Sequence, residues 1–154
     1  MQKLPASQDC FVCGRKNPFS LKLDFYRDEN GNCVSNLVIP KGYQSYPGVT
    51  HGGIIAAILD ETSGRAINED PDLFMLTMEL TIRYRSPVPI GQPLKVVGSL
   101  VRRRGKTALA KGEIFDQEGR LLAESTGMFV DLPQNQQNAK NEGVEGWRVY
   151  PDEA

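Results

Sequence analysis

The chain has 154 residues, 40% hydrophobic and 24% charged, with a formal net charge of -1: one domain's length, and no whole-molecule field to draw in nucleic acid or an anionic membrane. Met1 to Gln8 lacks the apolar stretch of a signal peptide, and no apolar run approaches the roughly 18 residues of a membrane span. Three cysteines do not fit a closed disulfide framework, so cytoplasm is the expected compartment.

Residues 1–20 are turn-rich, with Cys10-Phe11-Val12-Cys13-Gly14 and Asn17-Pro18, and are expected to precede a domain over 21–132. Leu21 to Tyr26 alternates apolar and polar, which predicts a strand. Asn30-Gly31 predicts a tight turn, and Cys33 to Ile39 the returning strand of a hairpin. Pro40 to Val49, with Gly42, Pro47 and Gly48, reads as a loop. From 52 to 67 the period changes: Ile54, Ile55, Ala57, Ile58, Leu59 and Ala66 make a helix apolar around most of its girth, the pattern of a buried helix. Phe74 to Tyr84, Pro93 to Arg103, Thr107 to Phe115 and Leu121 to Asp131 alternate as strands, and the short turns between them imply an antiparallel meander. Residues 133–146, rich in Asn, Gln and Gly, begin an expected flexible tail over 133–154, which Trp147 and Tyr150 are placed to anchor. A single helix too apolar to face water must be wrapped by the sheet. The expected fold class is α+β, a curved antiparallel β-sheet around a central buried α-helix.

The chemistry concentrates at that helix. Gly52 and Gly53 stand where the loop becomes helix, where the first amides lack intrahelical partners and lie at the positive end of the dipole. Without side chains they admit a carbonyl that develops negative charge; the alternative is that they only permit close packing. Asp60 lies within the apolar helix and, as a carboxylate there, needs a partner or a purpose. It follows Gly52 by eight residues, about 12 Å of helix. One chain's Asp60 and Gly52 therefore cannot grip the same carbonyl, and a dimer is expected to set Asp60 of one subunit opposite Gly52 of the other. Asp60 would act as general base on water or as nucleophile. Glu61 points about 100° away and reads as a solvent or interface partner.

His51 is the only histidine, with a capping role and an orienting role both open. No second histidine accompanies it, and Cys10-x-x-Cys13 is only half of a structural zinc site, so no metal and no other cofactor is expected. Arg102-Arg103-Arg104-Gly105-Lys106-Thr107 forms a basic hairpin tip, either a solvated turn or a seat for phosphate charge, and Arg83 and Arg85 add charge before Ser86-Pro87. Basic surface with interleaved aromatics, the mark of nucleic-acid binding, is missing.

Tyr46-Pro47-Gly48-Val49-Thr50-His51-Gly52-Gly53, running on to Asp60-Glu61, resembles the hotdog thioesterase superfamily, specifically its phenylacetate-degradation-type and 4-hydroxybenzoyl-CoA-type members. Thr77 to Pro87 and Arg104 to Thr107 extend the resemblance. It implies an acyl-CoA thioesterase assembled as dimers or tetramers with active sites at the subunit interface. In that likeness Gly52 is the oxyanion donor, Asp60 the base or nucleophile, Thr77 a water-orienting hydroxyl, and His51 positions the thioester. Gly53, Arg83 and Ser86 would line the substrate, and Arg104, Gly105, Lys106 and Thr107 would meet the nucleotide end of coenzyme A. Some relatives carry an asparagine about six residues before the histidine; here Ser45 stands there. Two other classes compete: a non-catalytic acyl-CoA binder, and a hotdog dehydratase, which pairs a histidine closely with an acid, unlike the nine-residue gap from His51 to Asp60.

Overall fold

The computed structural model describes residues 1–133 and 146–152. Seven strands form one antiparallel sheet: β1 Gln2–Lys3, β2 Tyr26–Arg27, β3 Cys33–Val38, β4 Met75–Tyr84, β5 Pro93–Arg104, β6 Thr107–Phe115 and β7 Leu121–Asp131. A helix, α1 Gly52–Arg65, packs across β3, β4, β5, β6 and β7, and a short 3-10 turn covers Lys41–Tyr43. The expected α+β fold, one helix held by a long antiparallel sheet, is what forms.

The sheet order is β1-β2-β3-β5-β6-β7-β4, which corrects the simple meander. Of the four strands after the helix, only β5, β6 and β7 follow one another; β4 pairs with β7 at the far edge, and β5 returns to pair with β3. The connection after β4 crosses the start of the helix. Val88 is buried, its carbonyl accepts from Thr50 N–H at 2.8 Å, and Gly91 N–H donates to the Ile39 carbonyl at 2.9 Å. This crossing braces the loop that leads into α1.

Leu21 to Tyr26 is a second correction, for only Tyr26–Arg27 joins the ladder. Lys22 has a positive φ of 53°, a conformation no strand continues. The amides of Leu21 and Leu23 donate instead to the carbonyls of Phe11 and Val12. The alternation still does its work, because Leu23 and Phe25 are buried. The Asn30-Gly31 turn forms as expected, with Gly31 at φ 81° and its N–H on the Asp28 carbonyl. The expected tail over 133–154 falls mostly on 134–145 and 153–154, outside the described residues; between these stretches, Trp147 Nε1 donates to Asp72 at 2.8 Å and Arg148 bridges to Ala6.

Packing explains why the helix had to be apolar on two sides. Ile55, Ile58, Leu59, Thr62 and Ser63, at spacings of three and four, are the buried residues facing the sheet. Leu4, Ala6, Val12, Cys13, Leu23 and Phe25 join the same core cluster, with Ile54 and Ala57 packed against it. The N-terminal segment is thus part of the covering of the helix. Sheet contact is unusually close where Gly98 pairs with Gly112 and Gly112 with Ser125. A Cβ on Gly98 would lie 2.2 Å from the Thr62 carbonyl oxygen, and one on Gly112 would lie 2.8 Å from Ser63 Oγ. Thr62 and Ser63 turn their hydroxyls back on the carbonyls of Ile58 and Leu59, both at 2.6 Å, so polar side chains are satisfied inside the contact. Among the described residues no helix is long and apolar enough to cross a membrane.

The obstacle at Gly98 is backbone, which cannot rotate aside. Gly98→Ala is expected to cost about 1–3 kcal/mol, read as a lower urea midpoint, because the whole helix must lift. An unchanged midpoint would show that the helix is not seated there.

Candidate active site

The loop-to-helix junction is fixed from three directions. Thr50 N–H bonds to Val88, His51 N–H donates to the Tyr43 carbonyl at 3.0 Å, and His51 caps the helix, its Nδ1 accepting from Gly53 N–H at 2.9 Å. An N-cap acceptor satisfies one of the amides a helix start leaves open. Ile54 and Ile55 both donate to the His51 carbonyl. The Gly52 N–H therefore stands apart, since it alone in this first turn has no partner among the described residues. Of the two glycines singled out in the sequence, Gly53 has its amide spent on the cap and Gly52 has its amide available.

The Gly52 carbonyl accepts from Tyr84 Oη at 2.8 Å. Tyr84 ends β4, and sequence reading gave it no role; a tyrosine closing an alternating strand carries no signal of where its hydroxyl lands. It clamps the start of α1 to the edge strand.

The second anchor between α1 and β4 is Asp60. Thr77 Oγ1 donates to Asp60 Oδ1 at 2.7 Å, and Oδ2 has no partner among the described residues. A bulge at Met78 shifts the β4–β7 register between Thr77 and Glu79, re-aiming the strand beside the carboxylate. Asp60 is half-buried. Burial raises its carboxyl above the ordinary value; the hydrogen bond from Thr77 opposes that, and the charge of Glu61 adds to it. Asp60 and Thr77 face a pocket of about 180 Å³ shared with Gly64, Met75, Phe129 and Trp147.

Glu61, expected as a solvent or interface partner, has a partner within the chain. It pairs within the chain with Arg65, Nε to Oε1 at 2.8 Å, on the side of the helix that the N-terminal segment covers. Arg65 was not singled out in the sequence, yet its guanidinium also donates to the Pro5 carbonyl and lies over the rings of Phe25 and Trp147.

The expected binding residues gather less tightly. Arg83 is exposed on β4, and Ser86 is half-buried with its N–H on the Leu122 carbonyl. Arg104, Gly105 and Lys106 are exposed at the β5–β6 turn, where Gly105 has φ 56° and Thr107 Oγ1 donates to the Arg104 carbonyl. Arg103 is diverted from this cluster into a two-pronged pair with Asp131 and a bond to Asn68. Within one chain no hydrogen bond or ion pair joins the turn to Asp60 or Thr77 among the described residues, and Gly52 and Asp60 remain eight residues apart on one helix.

A sequence family described as the Thioesterase superfamily matches residues 47–123, the stretch that runs from before His51 into β7. SSO2140 of Saccharolobus solfataricus, provisionally named an esterase, is 30% identical over 107 residues, covering 68% of this chain and 74% of that protein. The acyl-coenzyme A thioesterase THEM4 of Mus musculus is 34% identical over 110 residues; the match covers 70% of this chain but only 46% of the mouse protein. Among solved structures, the thioesterase superfamily protein RHA08564 superposes with a TM-score of 0.75 at 28% identity, over 80% of this chain and 61% of that one. Fold, helix-start chemistry and sequence agree: the chain belongs to the thioesterase superfamily and carries its hotdog fold.

Proposed function

We propose that the protein hydrolyses an acyl-CoA thioester to the free acid and coenzyme A. The observation that carries this reading is the held carboxylate: Asp60 lines the pocket, Thr77 fixes one of its oxygens, and the other has no partner among the described residues. With Oδ1 engaged, Oδ2 takes a proton from water as the water attacks the thioester carbon, or attacks that carbon itself to form an anhydride that water then opens. Both routes expel the coenzyme A thiolate and place negative charge on the carbonyl oxygen. The free Gly52 N–H, at the positive end of α1, is the donor suited to that charge. His51 holds the turn in the shape that presents it.

Because the two groups are separated along one helix, the reading requires a second copy of the chain, with Asp60 of one facing Gly52 of the other. The edge strand β4 supports this. It is ten residues long, unpaired on its outer side among the described residues, and exposes Leu76, Met78 and Tyr84, a surface that solitary domains usually blunt or cover. Arg104 and Lys106, exposed and without ion-pair partners among the described residues, suit the phosphates of coenzyme A. The three free cysteines favour a reducing compartment, the cytoplasm. A dehydratase would want an imidazole beside the acid, and the Nδ1 of His51 is instead engaged with Gly53.

Asp60→Asn is expected to lower kcat by about 10²–10⁴-fold in a thiol-release assay across aryl, short and long acyl-CoAs, with circular dichroism unchanged. Full turnover in that variant ends the assignment. Thr77→Val removes one hydrogen bond to the carboxylate and is expected to cost roughly tenfold in kcat, with KM little changed. Met78→Lys places a charge on the outer edge of β4. It should yield monomers in sedimentation velocity and abolish turnover together; an active monomer would contradict the shared site.

A further inference from the structure

Cys10-Phe11-Val12-Cys13-Gly14 closes into a tight turn, with Gly14 N–H on the Cys10 carbonyl at 2.8 Å. A Cβ at Gly14 would lie 2.2 Å from that carbonyl oxygen, so the turn requires glycine there. Two backbone amides inside it, those of Val12 and Cys13, point at Cys10 Sγ from 3.3 and 3.4 Å. Turned this way, the loop presents its sulfurs toward α1, where Glu61 lies one residue past Asp60. The sulfurs of Cys10 and Cys13 and a carboxylate oxygen of Glu61 all fall within 4.8 Å of one another, and Cys13 Sγ is 4.0 Å from Glu61 Oε1.

We propose that Cys10, Cys13 and Glu61 form a binding site for one zinc-class divalent cation, which fastens the N-terminal segment to α1. Ligands about 2.3 Å (sulfur) and about 2.1 Å (oxygen) from a tetrahedral ion lie roughly 3.5–4 Å apart, so Cys13 and Glu61 need to close by a few tenths of an ångström and no pair of donors by more than about 1 Å. The two-residue gap between the cysteines is a zinc-ligand spacing, and three protein ligands leave the fourth position to water, reached from the half-exposed side of Cys10.

Charge supports a metal over a disulfide between the same sulfurs. Two thiolates and a carboxylate around a divalent ion leave one negative charge, and the cation that offsets it is already in place. Arg65, with its side chain only 10% exposed, donates from Nη2 to Cys13 Sγ at 3.2 Å and from Nε to Glu61 Oε1 at 2.8 Å. That is the outer-shell arrangement that orients ligands and tunes a site. A disulfide would leave Nη2 donating to a neutral sulfur that is a poor acceptor. The sequence showed only the cysteine pair; the fold supplies Glu61 from 48 residues away.

The proposal stands apart from the hydrolytic reading and is tested without an activity assay. The full chain, reduced, incubated with zinc and passed through a desalting column, is expected to retain about one equivalent of zinc by mass spectrometry of the metal. Cobalt in its place should give sulfur-to-metal charge-transfer absorption and the visible bands of a tetrahedral site. Cys10→Ser and Cys13→Ser should each lose the charge-transfer band. Glu61→Gln, which keeps both sulfurs and the helix, should weaken cobalt binding by more than about tenfold. Chelation should lower the melting temperature of the wild-type chain. Retention of under about a tenth of an equivalent, or cobalt spectra without charge transfer, would overturn the site. Wild-type affinity in Glu61→Gln would remove the carboxylate from it. A Cys10–Cys13 disulfide in the native protein, with no metal bound after reduction, would assign the pair to redox chemistry instead.

Discussion

The closeness with which α1 sits on the sheet governs the rest of the molecule. Gly98, Gly112 and Ser125 line a row across β5, β6 and β7 where almost nothing projects, and Thr62 and Ser63 rest against it with their hydroxyls folded back on the helix. A helix lowered this far is gripped along one side, and its azimuth is fixed. Asp60 is then turned toward β4 while Glu61, a third of a turn on, is turned toward the N-terminal segment. Two adjacent acids acquire different surroundings because the backbone beneath them cannot roll.

The same rigidity divides labour at the start of the helix. His51 and Tyr84 take the groups of the first turn that would otherwise be free to vary, the Gly53 amide and the Gly52 carbonyl. Val88 and Tyr43 hold the two residues before it through their carbonyls. What is left is one N–H whose direction is determined by neighbours that do not themselves need to touch a substrate. Such preorganisation is how a modest dipole becomes useful to a developing charge.

Much of this was legible in the sequence because it depends on local rules. The switch from alternation to a helical apolar period marked α1 to within two residues at its end, and Asn30-Gly31 marked its turn. Gly52 and Asp60 stood out because each breaks the pattern around it, a helix start without side chains and a carboxylate among aliphatics. Thr77 entered only through family likeness; nothing in Met75-Leu76-Thr77-Met78 says that a bulge will swing its hydroxyl to Asp60. Strand order was misjudged because alternation reports burial, not neighbours, and the crossing at Val88 depends on contacts nearly forty residues back in the chain. Leu21 to Phe25 shows the same limit: the burial pattern is right and the pairing wrong, because one positive φ at Lys22 sends the amides elsewhere. Arg65 was invisible, since an arginine at the end of a helix ordinarily reads as a match to the dipole.

The wall of the pocket beside Asp60 is assembled from widely separated parts of the chain: Leu4 before the first turn, Leu73 and Phe74 ahead of β4, Phe129 on β7, and Trp147 stacked edge-on against Phe74. None of these is among the groups assigned to bond-making, which lie on α1 and at Thr77. On the proposed reading, reaction and selectivity would occupy different addresses in the gene. Substitutions at the periphery would then reshape the cavity for a longer, shorter or flatter acyl group while the proposed reactive groups are inherited unaltered, a layout that would let one scaffold diversify its diet by drift at its margins.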